Sequence, residues 1–280
     1  MRFFVALAAL PAVATLCAGE DRLLFARLGD IRVAYTNHGR GSQAVVFVHG
    51  WTCDHTFWAR SVPAIAAKRR VIAVDLPGHG ASDKPETAYS LDLFARGVEA
   101  VLREAGVNKA VLAGHSMGTA VSAKFLQLFP ERVAGIIIVD GFLPQKPADA
   151  AGRQKVLAPF REDYAKTATS MINGMFVEAT TTELRQEILS KMLATPRHVG
   201  ISAMERMAEI DAGGMKAPHV PALALMKKRP ERDEAFERFL RGIFPKLDYQ
   251  AWDGAGHFLM MEQPERFNRE VLAFLDRHKL

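Results

Sequence analysis

A serine between two glycines is the first feature of this sequence that could support chemistry. Ser116 lies two residues after Gly114 and two residues before Gly118. A serine hydroxyl is a poor nucleophile until a base removes its proton, and the attack also requires backbone N–H groups that hold the resulting oxyanion. The motif therefore indicates nucleophilic attack on a carbonyl carbon, provided that the serine stands on a sharp turn between a strand and a helix.

The elements on either side of Ser116 provide that context. Residues 109–113 form an apolar run typical of a buried strand, and residues 119–129 carry apolar side chains at helical spacing. A chance match to the motif is common in a chain of this length, but a match at a strand-to-helix junction is not. We expect Ser116 to adopt a strained backbone conformation, and a side chain at Gly114 or Gly118 to collide with neighbouring backbone.

Short apolar segments alternate with helical patterns through most of the chain. The runs at residues 45–48 and 136–139 are continuously apolar, as expected of strands covered on both faces in a parallel sheet. A helix is predicted over residues 91–104 with Ser90 as its cap, and the last helix is predicted to start at Pro264. This alternation predicts a doubly wound α/β fold with a mostly parallel sheet.

One long region lacks strand patterns. Residues 145–216 contain only helical segments, and Thr180 and Glu183 occupy capping-box positions in one of them. We expect this region to form a helical cap, inserted after the sixth core strand, over the carboxyl edge of the sheet, where α/β proteins bind ligands. The predicted core then comprises residues 20–144 and 217–280.

The first 19 residues have the composition of a secretory signal peptide. Arg2 precedes an apolar run at residues 3–17, and small residues follow at positions 18 and 19. The run is too short for a comfortable transmembrane span. We therefore predict an exported protein, periplasmic or secreted, without stable membrane insertion after cleavage, with a lipid anchor on the first cysteine as an alternative. Cleavage would leave Cys53 as the only cysteine, and so no internal disulfide.

The composition argues against several other classes of protein. Apolar residues make up 49% of the chain and charged residues 24%, which is typical of a globular protein. The net charge is +5, but basic residues are interspersed with acidic ones, so we expect no nucleic-acid partner. His49, Cys53 and His55 lie close together in the sequence without a known zinc spacing. No G-x-G-x-x-G follows a strand, and we expect neither a metal nor a cofactor.

Three further segments strengthen the interpretation of the serine motif. They are VFVHGW at residues 46–51, DLPGHGASDKP at residues 75–85 and GAGHFLMMEQPERF at residues 254–267. With these motifs the chain resembles the α/β-hydrolase superfamily, specifically its esterase-like branch with a helical cap. The resemblance covers nearly everything from residue 23 to residue 280, and it implies the α/β-hydrolase fold.

The resemblance also assigns roles to individual residues. It implies that His257, in a glycine-rich loop before the last helix, is the base for Ser116. The residue after the His-Gly pair and the residue after the nucleophile donate the oxyanion-hole N–H groups in this family, and they correspond to Trp51 and Met117. Dehalogenase chemistry is disfavoured, because that branch has an aspartate where Ser116 stands.

The acid that would orient His257 is missing from its commonest place. Many relatives carry it as an aspartate shortly after the strand that corresponds to residues 220–226, but here KKRPERDE follows. Asp140 ends the strand after the nucleophile, where some branches hold their acid, whereas Asp233 precedes a helical pattern like a helix cap. We expect Asp140 to hold the tautomer of His257, with Asp233 as the alternative.

These residues together predict an exported serine carboxylesterase that forms an acyl-enzyme on Ser116. Methionine and aromatic residues in the cap suit an ester with an apolar acyl or alcohol group, whether small or of medium chain length. We expect His55, Phe57 and Phe258 to contact the substrate. Two other classes stay open. One is a different serine-dependent reaction on the same fold, by an acyltransferase, perhydrolase or aminopeptidase, and the other is a ligand binder without catalysis.

Overall fold

The computed structural model describes residues 22–207 and 209–280, and it describes Arg232 without its side chain. The predicted signal peptide, residues 1–19, lies outside the described residues. Within the described part, no helix is both long and apolar enough to cross a membrane.

Eight strands form one sheet at the centre of the molecule. The strands are β1 (Leu24–Leu28), β2 (Ile31–His38), β3 (Gln43–Val48), β4 (Val71–Val74), β5 (Lys109–His115), β6 (Val133–Val139), β7 (Ala222–Lys227) and β8 (Leu247–Trp252). Their order is β1-β2-β4-β3-β5-β6-β7-β8. The β1–β2 and β2–β4 pairs are antiparallel and all later pairs are parallel.

Helices cover both faces of this sheet. The core helices are α1 (Val62–Ala66), α2 (Leu91–Glu104), α3 (Met117–Leu128), α8 (Pro230–Ile243), α9 (Leu259–Glu262) and α10 (Pro264–His278). Every residue of β4 is buried, as are five of the six in β3, because such strands have apolar neighbours on both sides. Both predicted helix starts are confirmed: Ser90 Oγ accepts from the N–H of Leu93, and Pro264 is the first residue of α10.

In the described part of the chain, four further helices lie between β6 and β7. They are α4 (Ala150–Glu162), α5 (Tyr164–Asn173), α6 (Thr182–Leu193) and α7 (Arg197–Met207). Several hydrogen bonds join this insertion to the core. Among them, Trp51 Nε1 donates to the carbonyl of Gly200 at 2.8 Å, and Thr195 Oγ1 donates to the carbonyl of Thr52 at 3.0 Å. The architecture confirms the α/β-hydrolase arrangement with a helical insertion after the sixth strand.

The start of α6 corrects one local prediction. The N-cap is Thr181, whose hydroxyl accepts from the N–H of Leu184 at 3.3 Å, rather than Thr180. The Thr180 hydroxyl instead donates to Glu262 Oε1 at 2.9 Å. Adjacent threonines offer the helix the same local cap, and here a contact with the distant Glu262 decides between them.

The central parallel strands end at one edge of the sheet and bring distant residues together there. Val48 at the end of β3 pairs with Gly114, and His115 at the end of β5 pairs with Val139. The loops that follow these strands, together with the loop after β7, therefore meet at the carboxyl edge of the sheet.

Candidate active site

Ser116 stands alone between β5 and α3 in a backbone conformation that few residues adopt. Its φ is 51° and its ψ is −116°, and its N–H donates to the carbonyl of Val139 at 3.0 Å. A positive φ strains a residue that has a Cβ, and such strain concentrates at functional sites. The strained turn expected from the sequence is confirmed.

The two flanking glycines allow the backbones to approach each other closely. A Cβ on Gly114 would lie 2.3 Å from the carbonyl oxygen of Gly118, and a Cβ on Gly118 would lie 2.2 Å from that of Val48. Real Cβ atoms do not approach backbone so closely, so only glycine fits at either position. The predicted collisions are confirmed.

The two segments that would supply oxyanion donors lie against the serine. Met117 is the first residue of α3, so its N–H belongs to the helix-terminal amides that have no acceptor within the helix. On the other side, a Cβ on Gly50 would lie 3.2 Å from Ser116 Cβ, which brings the turn containing Trp51 next to the serine. The helix N-terminus adds a partial positive charge at this point.

His257 lies in the loop between β8 and α9 and contacts Asp140. Its Nδ1 is 2.6 Å from Asp140 Oδ2, and because an ionised carboxylate only accepts, Nδ1 carries the proton. The backbone of His257 is held on both sides, since its N–H donates to the carbonyl of Met175 and its carbonyl accepts from His115 Nε2. Ser116, Asp140 and His257 all line one pocket.

The carboxylate of Asp140 receives four hydrogen bonds although its side chain is fully buried. Besides His257, its donors are the N–H of Lys227 at 3.0 Å and both terminal nitrogens of Arg229, at 2.8 and 2.7 Å. Burial raises the pKa of Asp140, but its hydrogen bonds and electrostatic interactions with His257 and Arg229 outweigh burial and hold the pKa well below its usual range. The group is therefore an anion at neutral pH.

Asp233, the alternative acid, has other partners. Its Oδ2 accepts from the backbone N–H of Arg229 at 2.7 Å, and the hydroxyl of Tyr249 lies 3.5 Å from its Oδ1. It lies inside the first turns of α8, where it satisfies a backbone donor at the helix start. The geometry thus joins Asp140, and not Asp233, to His257.

Sequence reasoning missed Arg229, although a signal was present. The segment after β7 carries a basic residue where many relatives carry an acid, and Pro230 directly after it marks a helix start. A cation at that position indicates that a carboxylate lies nearby.

The pocket that contains Ser116 has a volume of about 390 Å³, and its lining combines apolar side chains with polar and charged ones. Its apolar lining comes from the loop after β6, from β7 and from α8: Phe142, Leu143, Met226, Ala235, Phe236 and Phe239. Phe142 is 49% exposed. A second apolar pocket of about 290 Å³ lies on the other side of Phe142, between α4 and α7, and includes Val156 and Met204.

The three residues expected to contact substrate lie outside the lining of the Ser116 pocket. Phe57 and Phe258 are fully buried, with ring centroids 5.9 Å apart, and Phe258 packs against the ring of His257. His55 Nδ1 lies 2.8 Å from Oδ1 of the buried Asp75. Phe57 and Phe258 thus pack behind the site, and contact between these three residues and a substrate stays a prediction.

Two other histidines near the site are structural. The ring of His115 lies 4.6 Å from that of His257, and burial lowers the pKa of His115 to about 3, so it is neutral at pH 7. His49 Nδ1 donates to the carbonyl of Gly50 while its Nε2 accepts from the N–H of Leu76. His49 thereby joins the loops after β3 and β4.

The described residues offer one cluster with metal-ligand chemistry, formed by Asp54, His55 and Asp75. The oxygens of Asp75 already accept from the N–H of His55, from His55 Nδ1 and from the N–H of Ala81. These hydrogen bonds hold together the loop after β3 and the loop after β4.

Comparison with known proteins adds family information to this geometry. A sequence profile of the alpha/beta hydrolase family matches residues 45–270. The chain is 32% identical over 266 residues to a 2-hydroxy-6-oxononadienedioate/2-hydroxy-6-oxononatrienedioate hydrolase of Burkholderia vietnamiensis, covering 89% of this chain and 92% of that protein. It is 31% identical over 250 residues to the dihydrolipoyllysine-residue acetyltransferase component of the acetoin cleaving system of Pseudomonas putida, covering 86% of this chain and 65% of that protein.

A solved structure shares the same fold. A thermophilic esterase from Thermogutta terrifontis superposes with a TM-score of 0.81 at 25% sequence identity, covering 92% of this chain and 99% of that one.

Proposed function

Because the chain belongs to the alpha/beta hydrolase family, we propose that it is a serine hydrolase that cleaves carboxylic ester bonds. The observation that carries the proposal is the pairing of a strained serine, Ser116, with a histidine whose Nδ1 contacts a buried carboxylate at the rim of the same pocket. That arrangement has the parts of a nucleophile, base and acid triad.

The first half of the reaction forms an acyl-enzyme. His257 Nε2 takes the proton of the Ser116 hydroxyl as the oxygen attacks the ester carbonyl carbon. The N–H groups of Trp51 and Met117 hold the oxyanion of the tetrahedral intermediate. His257 then gives its proton to the leaving alcohol, and the acyl group stays on Ser116.

The second half returns the free enzyme. His257 takes a proton from water, whose oxygen attacks the acyl carbon, and then returns that proton to Ser116 as the acid leaves. Throughout, Asp140 keeps the proton of the resting imidazole on Nδ1 and stabilises the imidazolium formed during each attack.

The lining of the pocket supports an apolar ester substrate that carries no free carboxylate. Its aromatic and aliphatic walls suit an acyl or alcohol group without charge. Of the described residues that line the pocket, Arg229 is the one arginine or lysine, and its guanidinium is bound to Asp140. Glu231 and Asp233 would repel a substrate anion. This argues against a dicarboxylate such as the name of the Burkholderia relative denotes.

We also propose that the protein is exported. The support is the order of a basic residue, an apolar run and small residues in the first 19 positions. Mass spectrometry of the mature protein from the periplasm or the medium would then find an N-terminus near residue 19.

A panel of p-nitrophenyl esters of increasing chain length tests the proposed reaction. We expect hydrolysis by the wild-type protein and none above background by Ser116→Ala, because the nucleophile is lost. Hydrolysis at the wild-type rate in Ser116→Ala would contradict the proposal. Absence of ester hydrolysis in a protein that still reacts with a fluorophosphonate would indicate a different serine-dependent reaction, such as acyl transfer to an acceptor other than water.

A further inference from the structure

Arg229 lies two residues after the end of β7, and its side chain contacts Asp140, the acid of the candidate triad. It is the N-cap residue of α8, in the segment that carries an aspartate in many relatives. In those relatives the aspartate after β7 is the acid that orients the histidine. In this chain that role falls to Asp140, and the segment after β7 supplies Arg229, which binds Asp140.

The contact between the two side chains is bidentate. Arg229 Nη1 lies 2.8 Å from Asp140 Oδ1, and Nη2 lies 2.7 Å from Oδ2. A planar guanidinium that grips both oxygens fixes the rotation of the carboxylate, which a single hydrogen bond cannot do. Oδ2, one of the gripped atoms, is also the oxygen that contacts His257 Nδ1.

The backbone of Arg229 is itself held in place. Its N–H donates to Asp233 Oδ2 at 2.7 Å, and Pro230 restricts the conformation of the residue before it. Nη1 also donates to the carbonyl of Lys227 at 3.3 Å. The guanidinium is thus anchored from both ends, and Asp233 acts on the site through Arg229.

We propose that Arg229 is a positioning residue of this active site, which orients Asp140 so that Oδ2 faces His257. The inference rests on the proposed function, since it assumes that His257 activates Ser116. With Arg229, the triad becomes a series of four side chains in contact or close together: Ser116, His257, Asp140 and Arg229.

The test measures how fast Ser116 reacts with a fluorophosphonate, and how fast p-nitrophenyl butyrate is hydrolysed, between pH 5 and pH 9. The variants are Arg229→Gln, which removes the charge, and Arg229→Lys, which keeps the charge but cannot grip both oxygens. Arg238→Gln is the matched control, because Arg238 lies on the same helix, is 72% exposed and pairs only with Glu234 among its described contacts. Thermal unfolding of each variant is recorded.

We expect Arg229→Gln to lose about 10²-fold in the plateau rate through kcat rather than KM, as misplaced catalytic groups do. Arg229→Lys should lose about tenfold in the plateau, because a single ammonium cannot grip both oxygens. Wild-type plateau rates in both variants would overturn the inference. If Arg229→Gln does not fold, Arg229→Lys decides: a lowered plateau supports the bidentate grip, and a wild-type plateau overturns it.

These outcomes separate the inference from the proposed function. A wild-type protein that is labelled but hydrolyses no ester would refute the esterase proposal, while the labelling rates of the variants would still test Arg229. A wild-type protein that is not labelled at Ser116 would refute both.

Discussion

Asp140 combines three properties that are seldom found in one residue of a protein. Its side chain is fully buried, its φ is 39° and its carboxylate has four donors. A buried anion is costly unless it is paired and fully hydrogen-bonded, so these donors are what permits the charge. The positive φ indicates local backbone strain at the end of β6, like the strain at Ser116.

Replacing this carboxylate by an amide separates the two candidate acids. We predict that Asp140→Asn lowers kcat for ester hydrolysis by about 10³–10⁴-fold, because the amide no longer holds the imidazole in the required tautomer. Asp233→Asn should stay within about tenfold of the wild-type protein, because its contact with the Arg229 N–H can be kept by the amide oxygen. Circular dichroism and thermal unfolding verify that both variants fold. Full activity in Asp140→Asn with a large loss in Asp233→Asn would transfer the role to Asp233.

The sequence could identify the acid only by elimination. The motif around Ser116 and the glycine-rich loop around His257 are local patterns, so both residues could be assigned without a structure. The partners of Asp140 are 87 to 117 positions away along the chain, and no local pattern reports such contacts. For the same reason the sequence could not show that Phe57 and Phe258 are fully buried, since a core and an apolar pocket require the same side chains.

At the scale of elements, the turn between β5 and α3 depends on the space left by its glycines. Ala at position 118 would place a methyl group 2.2 Å from the carbonyl oxygen of Val48. We predict that Gly118→Ala destabilises the protein by about 3 kcal/mol or more, since β3 and α3 must move apart. Urea unfolding measures the effect.

Gly242 provides the matched control for that substitution. It lies in α8, and a Cβ there would meet nothing within 4 Å. Gly242→Ala should leave stability unchanged or raise it by up to about 1 kcal/mol, because alanine is the better helix former. Equal effects of the two substitutions would show that close backbone contact is not the constraint at position 118.

Phe142 lies in the loop after β6, where it lines two apolar pockets. We predict that Phe142→Ala joins them and raises the ratio of kcat/KM for a dodecanoate over a butyrate ester about tenfold, the value of roughly two additional buried methylene groups at ~0.8 kcal/mol each. Phe25→Ala is the matched control, because Phe25 is 42% exposed on β1, outside both pockets. An unchanged ratio, or the same increase in Phe25→Ala, would contradict this account of chain-length selection.

The elements differ in how much of them could be predicted from the sequence. The starts of α2 and α10 follow from Ser90 and Pro264, because a helix cap and a first-turn proline act within one turn of the chain. The start of α6 was misplaced by one residue, because the choice between Thr180 and Thr181 depends on Glu262, which is far away in sequence. Local signals thus locate elements, and tertiary contacts settle their ends.

At the scale of the whole molecule, buried neutral histidines couple stability to pH. Burial lowers the pKa of both His79 and His115 to about 3. In the unfolded chain these groups take up protons below about pH 6.5, whereas in the folded protein they do so only near pH 3. Their contribution to stability is therefore intact above about pH 6.5 and is lost progressively as the pH falls towards 3.

We predict a loss of up to about 1.4 kcal/mol per pH unit for each of these histidines over that range. The urea midpoint at pH 7, 6, 5 and 4 measures it. His79→Asn should reduce the slope, since the amide can keep the donation to Pro77 that His79 Nδ1 makes but does not titrate. His219→Asn, at an exposed position, should leave the slope unchanged. If stability fell with pH as steeply in His79→Asn as in the wild-type protein, then His79 would not contribute to the pH dependence, contrary to the prediction.

The overall fold was easier to predict from the sequence than the individual contacts. Continuously apolar strands alternating with helices require a sheet covered on both faces, and the glycine-flanked serine locates the edge where a site can form. The match to the alpha/beta hydrolase family over residues 45–270 agrees with that reasoning. The identity of the substrate depends on the shape of the pocket, which long-range packing sets.

The most direct test of the account is peptide mapping after reaction with a fluorophosphonate. The wild-type protein and Ser116→Ala are treated with the probe at pH 7.5, digested and analysed by mass spectrometry, with heat-denatured wild-type protein as the control for nonspecific labelling. We expect one adduct, on Ser116, in the folded wild-type protein and none in the other two samples. A folded wild-type protein without an adduct on Ser116, or with equal labelling in Ser116→Ala, would contradict the claim that this serine is an activated nucleophile.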